Sequence, residues 1–176
     1  MIVGFIGDMG GGKSLSMVKQ AKQYYDQGYN IYSNIKLNFP YETYNLTDIL
    51  QYAESEGTFY KAVFLIDEAH IYLDSRMSAS KRNIVMSYFI TQTRKKDVKL
   101  LYTTQSLMQV DKRLRERSDM LIYCFTKIID KKKDIRVTLN YIVIKKMKGN
   151  IIKKDYFISN DYYNLYDTYE VVKGIF

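Results

Sequence analysis

The chain has 176 residues, with 27 Lys and Arg against 19 Asp and Glu, and a formal net charge of +8. That length suits a single domain able to bury a core, and the lone cysteine (Cys124) and lone histidine (His70) exclude an intramolecular disulfide and a side-chain set for structural zinc. No apolar run approaches the ~18–20 residues of a membrane span, so the expectation is a soluble intracellular protein, and the positive charge points to a polyanionic partner.

Ile2–Ile6 is a short apolar run that reads as a buried strand. Gly7-Asp8-Met9-Gly10-Gly11-Gly12-Lys13-Ser14 follows and matches G-x-x-x-x-G-K-[ST], the phosphate-binding loop. Leu15 to Tyr25 then has helical spacing and no breaker. The glycines let backbone N–H groups turn inward without Cβ clashes, and these groups, with the positive helix N-terminus, hold a polyphosphate. Lys13 is expected to reach the β- and γ-phosphates and Ser14 to ligate Mg²⁺. A glycine-rich turn without chemistry is the alternative, and the flanking strand and helix weigh against it.

Gly28 stops the helix, and Tyr29–Ile35 reads as a second strand. Pro40 marks a loop, and Thr47–Ala53 is a short helix capped by Thr47. Ala62–Ile66 is the most apolar run and suits a central parallel strand buried on both faces. Asp67-Glu68-Ala69-His70 follows at once, placing acids at the edge where open α/β sheets bind ligands. This is a Walker B pattern: Asp67 holds Mg²⁺ through water and Glu68 polarises the attacking water. The alternative for two acids after a strand is a helix N-cap with favourable dipole charge.

Residues 71–80 read as a loop, Lys81–Arg94 as a helix and Asp97–Gln105 as the next strand. A polar Thr-Thr-Gln end to an apolar strand is the place for a γ-phosphate sensor, with Gln105 the candidate; an exposed strand terminus is the other reading. Ser106–Arg117 is charged, a short helix or turn, and Met120–Phe125 is a fifth strand. From Thr126 the character changes. Lys131-Lys132-Lys133-Asp134 is a turn, Ile135–Leu139 and Tyr141–Ile144 are strand-like, Gly149-Asn150 is a second turn and Ile151–Ile158 a further strand. This end is an antiparallel β-meander with an irregular aromatic tail over residues 160–170. Without repeat or linker, residues 1–176 form one domain, with a core over 1–125 and the meander and tail over 126–176.

The motif set resembles the FtsK–HerA side of the additional-strand P-loop ATPases, above all the zonular occludens toxin-like ATPases of filamentous phages and the packaging ATPases of tailless archaeal and bacterial viruses. The shared pattern runs from Met1 to about Phe125. It comprises the glycine loop through Leu15, Tyr32-Ser33-Asn34-Ile35, Leu65-Ile66-Asp67-Glu68-Ala69-His70, Thr103-Thr104-Gln105-Ser106 and Asp111-Lys112-Arg113-Leu114-Arg115; the tail Tyr166-Asp167-Thr168-Tyr169-Glu170 is also similar. Asp-Glu-Ala-His also resembles a helicase box, but those helicases need two RecA-like domains in one chain. The resemblance implies an α/β, RecA-like P-loop NTPase: a mostly parallel central sheet flanked by helices, with the antiparallel meander at the C-terminal end. It implies ATP and Mg²⁺ as ligands. Gly7, Asp8, Met9, Gly10, Gly11, Gly12, Lys13, Ser14 and Leu15 would bind nucleotide, Ser14 and Asp67 the metal, and Lys13, Glu68 and Gln105 would serve catalysis. Such families work as rings, commonly hexamers, in which a neighbour's arginine completes the site. Arg94 is the first candidate, followed by Arg113, Arg115 and Arg117, with Arg76 and Arg82 weaker; a solvated surface role is the alternative for each. Many phage members carry a membrane anchor that this sequence lacks.

The reading is an ATP-driven translocase of double-stranded DNA that packages a viral genome into a capsid or drives virion assembly. It would act in the host cytoplasm, with a capsid or portal-vertex protein as partner. DNA contacts would be to phosphates, from Lys95, Lys96, Lys131, Lys132, Lys133, Lys145, Lys146, Lys153 and Lys154, although a lysine-rich hairpin tip also prevents edge pairing. Two other classes compete: an assembly switch that binds ATP and contacts coat or membrane proteins, and a small-molecule kinase, which would not need Glu68 beside Asp67.

Overall fold

Every residue of β1 (Ile2–Ile6) is buried, as expected of an unbroken apolar strand covered on both faces. In the computed structural model, which describes residues 1–44, 59–72 and 97–167, β1 lies between β4 (Val98–Thr104) and β5 (Met120–Asp130), parallel to both. Beyond β4 come β3 (Ala62–Ile66) and then β2 (Asn30–Ser33), also parallel. Beyond β5 come β6 (Ile135–Ile144) and β7 (Ile151–Ile158), both antiparallel. The strand order is therefore β2-β3-β4-β1-β5-β6-β7, and β4 is the additional strand between the glycine-loop strand and the acidic strand.

Alternation along the strands divides the core between two faces. Val3, Phe5, Val63, Leu65 and Leu101 pack under Met17, Val18 and Ala21 of α1 (Lys13–Asp26). Ile2, Phe64, Ile66, Leu100 and Tyr102 pack with Ala69 of α2 (Ala69–Tyr72) and with Val110 and Leu114, the latter on α3 (Lys112–Arg117). Each fully buried large side chain contributes about 1.5–3 kcal/mol. A short 3₁₀ turn (Leu107–Gln109) links β4 to α3, where a short helix or turn was expected.

Three expectations need correction. Residues 135–139 and 141–144 do not form separate strands: β6 is continuous. The polar residue between them, Asn140, stays in register opposite Cys124 and Asp155, because its buried Oδ1 accepts a hydrogen bond from Ser16 Oγ at 3.1 Å. β5 runs past Phe125 to Asp130, since β6 supplies ladder partners as far as Asp130, with a register shift between Ile128 and Asp130. The tail is not irregular as far as Leu165: Ser159–Leu165 is a 3₁₀ helix, after which Tyr166 bridges Leu37.

The Lys131–Asp134 turn is where expected, held by Asp130 Oδ1, which accepts from the backbone N–H groups of Lys132 (2.9 Å) and Lys133 (3.1 Å). No helix among the described residues is long and apolar enough to cross a membrane. The expected helices at 47–53 and 81–94, together with Arg76, Arg82, Arg94, Lys95, Lys96 and residues 168–176, lie outside the described residues.

Candidate functional site

The glycine loop leaves β1 at the C-terminal edge of the parallel strands and runs into α1. Gly12 sits at φ 85°, and a Cβ there would lie 2.7 Å from Thr126 Oγ1 and 2.8 Å from Thr138 Oγ1. Both the left-handed backbone and the close approach of β5 and β6 thus require glycine at this position. Lys13 is buried, and its Nζ donates to the Asp8 carbonyl at 2.9 Å, folding the ammonium back onto the loop.

Asp67 follows β3 directly and is buried. Its Oδ1 accepts from Ser14 Oγ at 2.7 Å and from Thr103 Oγ1 at 2.8 Å. Its backbone is clasped by Asn34, which donates through Nδ2 to the Asp67 carbonyl (3.1 Å) and accepts at Oδ1 from the Asp67 N–H (2.8 Å). Burial pushes the Asp67 carboxyl above its ordinary range, opposed by the Ser14 and Thr103 hydroxyls. Glu68 is in the left-handed region at φ 54°, its N–H held by Thr103 Oγ1 at 2.8 Å. Glu68 Oε2 lies 3.2 Å from His70 Nδ1, yet both atoms are buried and neither makes a hydrogen bond of good geometry.

These groups open onto a cleft of about 570 Å³, within the usual size of small-ligand sites. It is lined by the glycine loop and the start of α1 together with Glu68, Thr126, Asp134, Arg136, Tyr163 and Tyr166. Two hard oxygen donors, the Ser14 hydroxyl and the Asp67 carboxylate, meet at its floor. That set suits Mg²⁺, which takes few protein ligands and keeps its waters. A nearby cation would also offset the burial that disfavours the Asp67 carboxylate. No group of three or more His, Cys, Asp or Glu occurs among the described residues, so the donor set does not resemble a transition-metal cage.

The family model for zonular occludens toxin (Zot) matches residues 1–171. The chain belongs to the Zot family. No curated protein matches the sequence. Among solved structures, the N-terminal domain of zonular occludens toxin from Neisseria meningitidis aligns with a TM-score of 0.63 at 17% identity, covering 94% of this chain and 98% of that one. The genome packaging NTPase B204 from Sulfolobus turreted icosahedral virus 2, in complex with ATP-gammaS, aligns at 0.60 and 13%, covering 87% and 95%. The ATPase domain of G40P aligns at 0.55 and 11%, covering 96% and 84%. The fold of this Zot-family chain is that of the RecA-like P-loop NTPases.

In this member the structure brings Lys13, Ser14 and Glu68 to one cleft, with Asp67 hydrogen-bonded to Ser14 beneath. Gly7 packs against β5, where an added Cβ would meet the Cys124 carbonyl at 2.5 Å, and Asp8 is exposed. Gln105 is exposed one residue beyond β4 and does not line the cleft. Arg113 Nε and a terminal guanidinium nitrogen donate to the two Asp111 oxygens at 2.8 Å. A terminal nitrogen of Arg115 lies 3.0 Å from Met108 Sδ, and Arg117 is exposed. None of these three arginines lines the cleft. Lys131, Lys132, Lys133, Lys146, Lys153 and Lys154 are exposed on the meander, whereas Lys145 Nζ donates to the Arg115 carbonyl at 2.6 Å.

Sequence reasoning gave no role to Thr103, Asn34, Arg136, Tyr163 or Tyr166. The polar end of β4 was a usable signal: its Thr103 hydrogen-bonds to Asp67 and to the Glu68 N–H. Asn34 stood in the Tyr32–Ile35 stretch of the family resemblance, one residue beyond β2, with no role attached to it. Arg136 and Tyr163 carried no local signal, and Tyr166 only its place in the tail that resembles the family.

Proposed function

We propose that this chain is an NTPase of virion assembly that uses ATP and Mg²⁺ to move double-stranded DNA. The Ser14–Asp67 contact at 2.7 Å carries the reading, because it joins the phosphate loop and the acidic strand end into one site beside Glu68. Membership of the Zot family and the fold shared with a genome packaging NTPase support it, as does the net charge of +8.

Lys13 and the loop N–H groups bind the β- and γ-phosphates and stabilise charge as the γ-phosphoryl group transfers. Ser14 and Asp67 would hold a Mg²⁺ ion, which would supply charge neutralisation at the phosphates. Glu68 orients a water in line with the γ-phosphorus and accepts its proton, leaving ADP and phosphate. Thr103 keeps both acids in place during this step. Gln105, next to Thr104 on the same strand end, reports the γ-phosphate state to DNA-facing segments. A ring, most simply a hexamer, would supply an arginine in trans; Arg94 is the first choice, since Arg113 is engaged by Asp111. The exposed Lys131–Lys133 tip and the β7 lysines would meet DNA phosphates.

The test is ATP turnover with and without long duplex DNA at low and moderate salt, with Glu68→Gln and Lys13→Ala as controls. Stimulation that fades with salt and vanishes in both variants supports the motor. A second reading, an ATP-dependent assembly switch that contacts coat or membrane proteins and not DNA, draws on the apolar residues exposed on the meander, among them Phe125 (53%), Ile129 (64%) and Tyr156 (72%). Turnover indifferent to DNA would select it.

A further inference from the structure

Two bonds fix the Glu68 backbone: its N–H donates to Thr103 Oγ1 at 2.8 Å, and its carbonyl accepts from the Ile71 N–H at 2.9 Å. Neither restrains the side-chain torsions that aim the carboxylate. Beside that carboxylate is His70, with Nδ1 3.2 Å from Glu68 Oε2. Residues two apart within a helix point to different faces. Glu68 meets His70 because it stands just outside α2, at φ 54°, and the left-handed backbone turns its side chain back. Both atoms are buried, and neither makes a hydrogen bond. Burial without a partner is costly for each, and at this range a small rotation of ring or carboxylate pairs them.

A carboxylate oxygen can only accept, so the bond needs a hydrogen on Nδ1, which the Nδ1–H tautomer and the charged ring both supply. The contact therefore does not depend on the charge of His70. Of the two residues, Glu68 lines the cleft and His70 does not. With Oε2 anchored on a residue outside the cleft, Oε1 is the oxygen left to meet a water. We infer that His70 is a positioning residue: its Nδ1–H holds Glu68 Oε2 and so aims Oε1 at the water that attacks the γ-phosphate. The water's proton goes to Oε1, and the Nδ1 hydrogen stays on the ring. This rests on the reading of Glu68 as the base and adds the group that orients it. Thr103 fixes the Glu68 backbone from β4, and His70 fixes its side chain from α2.

The experiment measures ATP turnover, with long duplex DNA present, and ATP affinity by calorimetry, on the full chain, for wild type, His70→Ala, His70→Asn, His70→Gln and Glu68→Gln. His70→Ala should lower kcat by roughly 10–100-fold, while KM and the ATP Kd stay within about twofold of wild type. An Asn amide carries its NH₂ close to the place of Nδ1, whereas Gln carries it near that of Nε2. His70→Asn should therefore recover most of the lost kcat, and His70→Gln should behave as His70→Ala. If His70→Ala does not fold, the contrast between Asn and Gln decides alone. Wild-type kcat in His70→Ala, a loss shared equally by ATP affinity, or Asn and Gln behaving alike would each overturn the inference. If Glu68→Gln is inactive and His70→Ala turns over as wild type, only this inference falls. If wild type hydrolyses no ATP, or Glu68→Gln turns over as wild type, the reading of the site falls and takes this inference with it.

Discussion

The Thr103 hydroxyl serves Asp67 and the peptide beside it at once: it donates to Asp67 Oδ1 at 2.8 Å and accepts from the Glu68 N–H at 2.8 Å. One β4 side chain therefore positions both acids of the candidate site. Thr103 is fully buried, so these bonds have no water to replace them.

Thr103→Val keeps the shape of the strand residue but removes both bonds. The Glu68 N–H loses its side-chain acceptor and Asp67 loses a donor, at a cost of about 1–3 kcal/mol. Denaturant unfolding should show this as a lower midpoint with an unchanged slope. ATP turnover should fall by roughly 10–100-fold, because Glu68 is no longer held in line. Turnover equal to wild type would mean that the acids are positioned by other groups.

Asp67→Asn should separate stability from function. Asn Oδ1 still accepts from Ser14 and Thr103, while the ionised group that burial disfavours is gone. The ligand-free protein should gain about 0.5–2 kcal/mol, read as a higher melting temperature, and Mg²⁺-dependent turnover should be lost. A lower melting temperature would show that the Asp67 charge is compensated in the free protein.

Gly12 and Gly10 make a matched pair. Both have positive φ, 85° and 73°, but a Cβ at Gly12 meets Thr126 and Thr138 below 3 Å, whereas one at Gly10 meets nothing within 4 Å. Gly10→Ala should cost only the left-handed strain of about 1–2 kcal/mol. Gly12→Ala should cost more and abolish nucleotide binding, since the loop must shift away from β5 and β6. Equal melting temperatures for the two variants would refute the packing argument.

Asp111 caps α3, accepting from the Arg113 N–H at 2.8 Å, and pairs with the Arg113 side chain. Arg113 holds its carboxyl below the ordinary value of 3.8. A depressed acid binds fewer protons folded than unfolded, so its contribution is complete above about pH 4 and is lost as pH falls through the folded value. Asp111→Ala should cost about 1 kcal/mol at pH 7, and the gap to wild type should close as pH drops below 4. A gap that persists in acid would assign the effect to packing.

The sequence alone determined the strand–loop–helix at residues 2–26, the acidic end of β3 and the antiparallel character of the C-terminal strands. These features are local: glycine freedom, a run of apolar residues and β-branched patterning act within a few residues of one another. Its two strand-like runs, Ile135–Leu139 and Tyr141–Ile144, are one strand, in which Ser16 of α1 satisfies the polar Asn140 between them.

Only the tertiary structure decided which side chains complete the site. Parallel pairing sets Phe5 beside Thr103 and Leu65 beside Leu101, and from that register Thr103 reaches Asp67 and the Glu68 backbone. Asn34 meets Asp67 because β2 borders β3, and Arg136 and Tyr163 line the cleft with the glycine loop because the meander and the helix after it pack around α1. A hydroxyl, amide or guanidinium is chemically ambiguous until its neighbours are known, and those neighbours are set by long-range strand pairing, which the local pattern of residues does not encode.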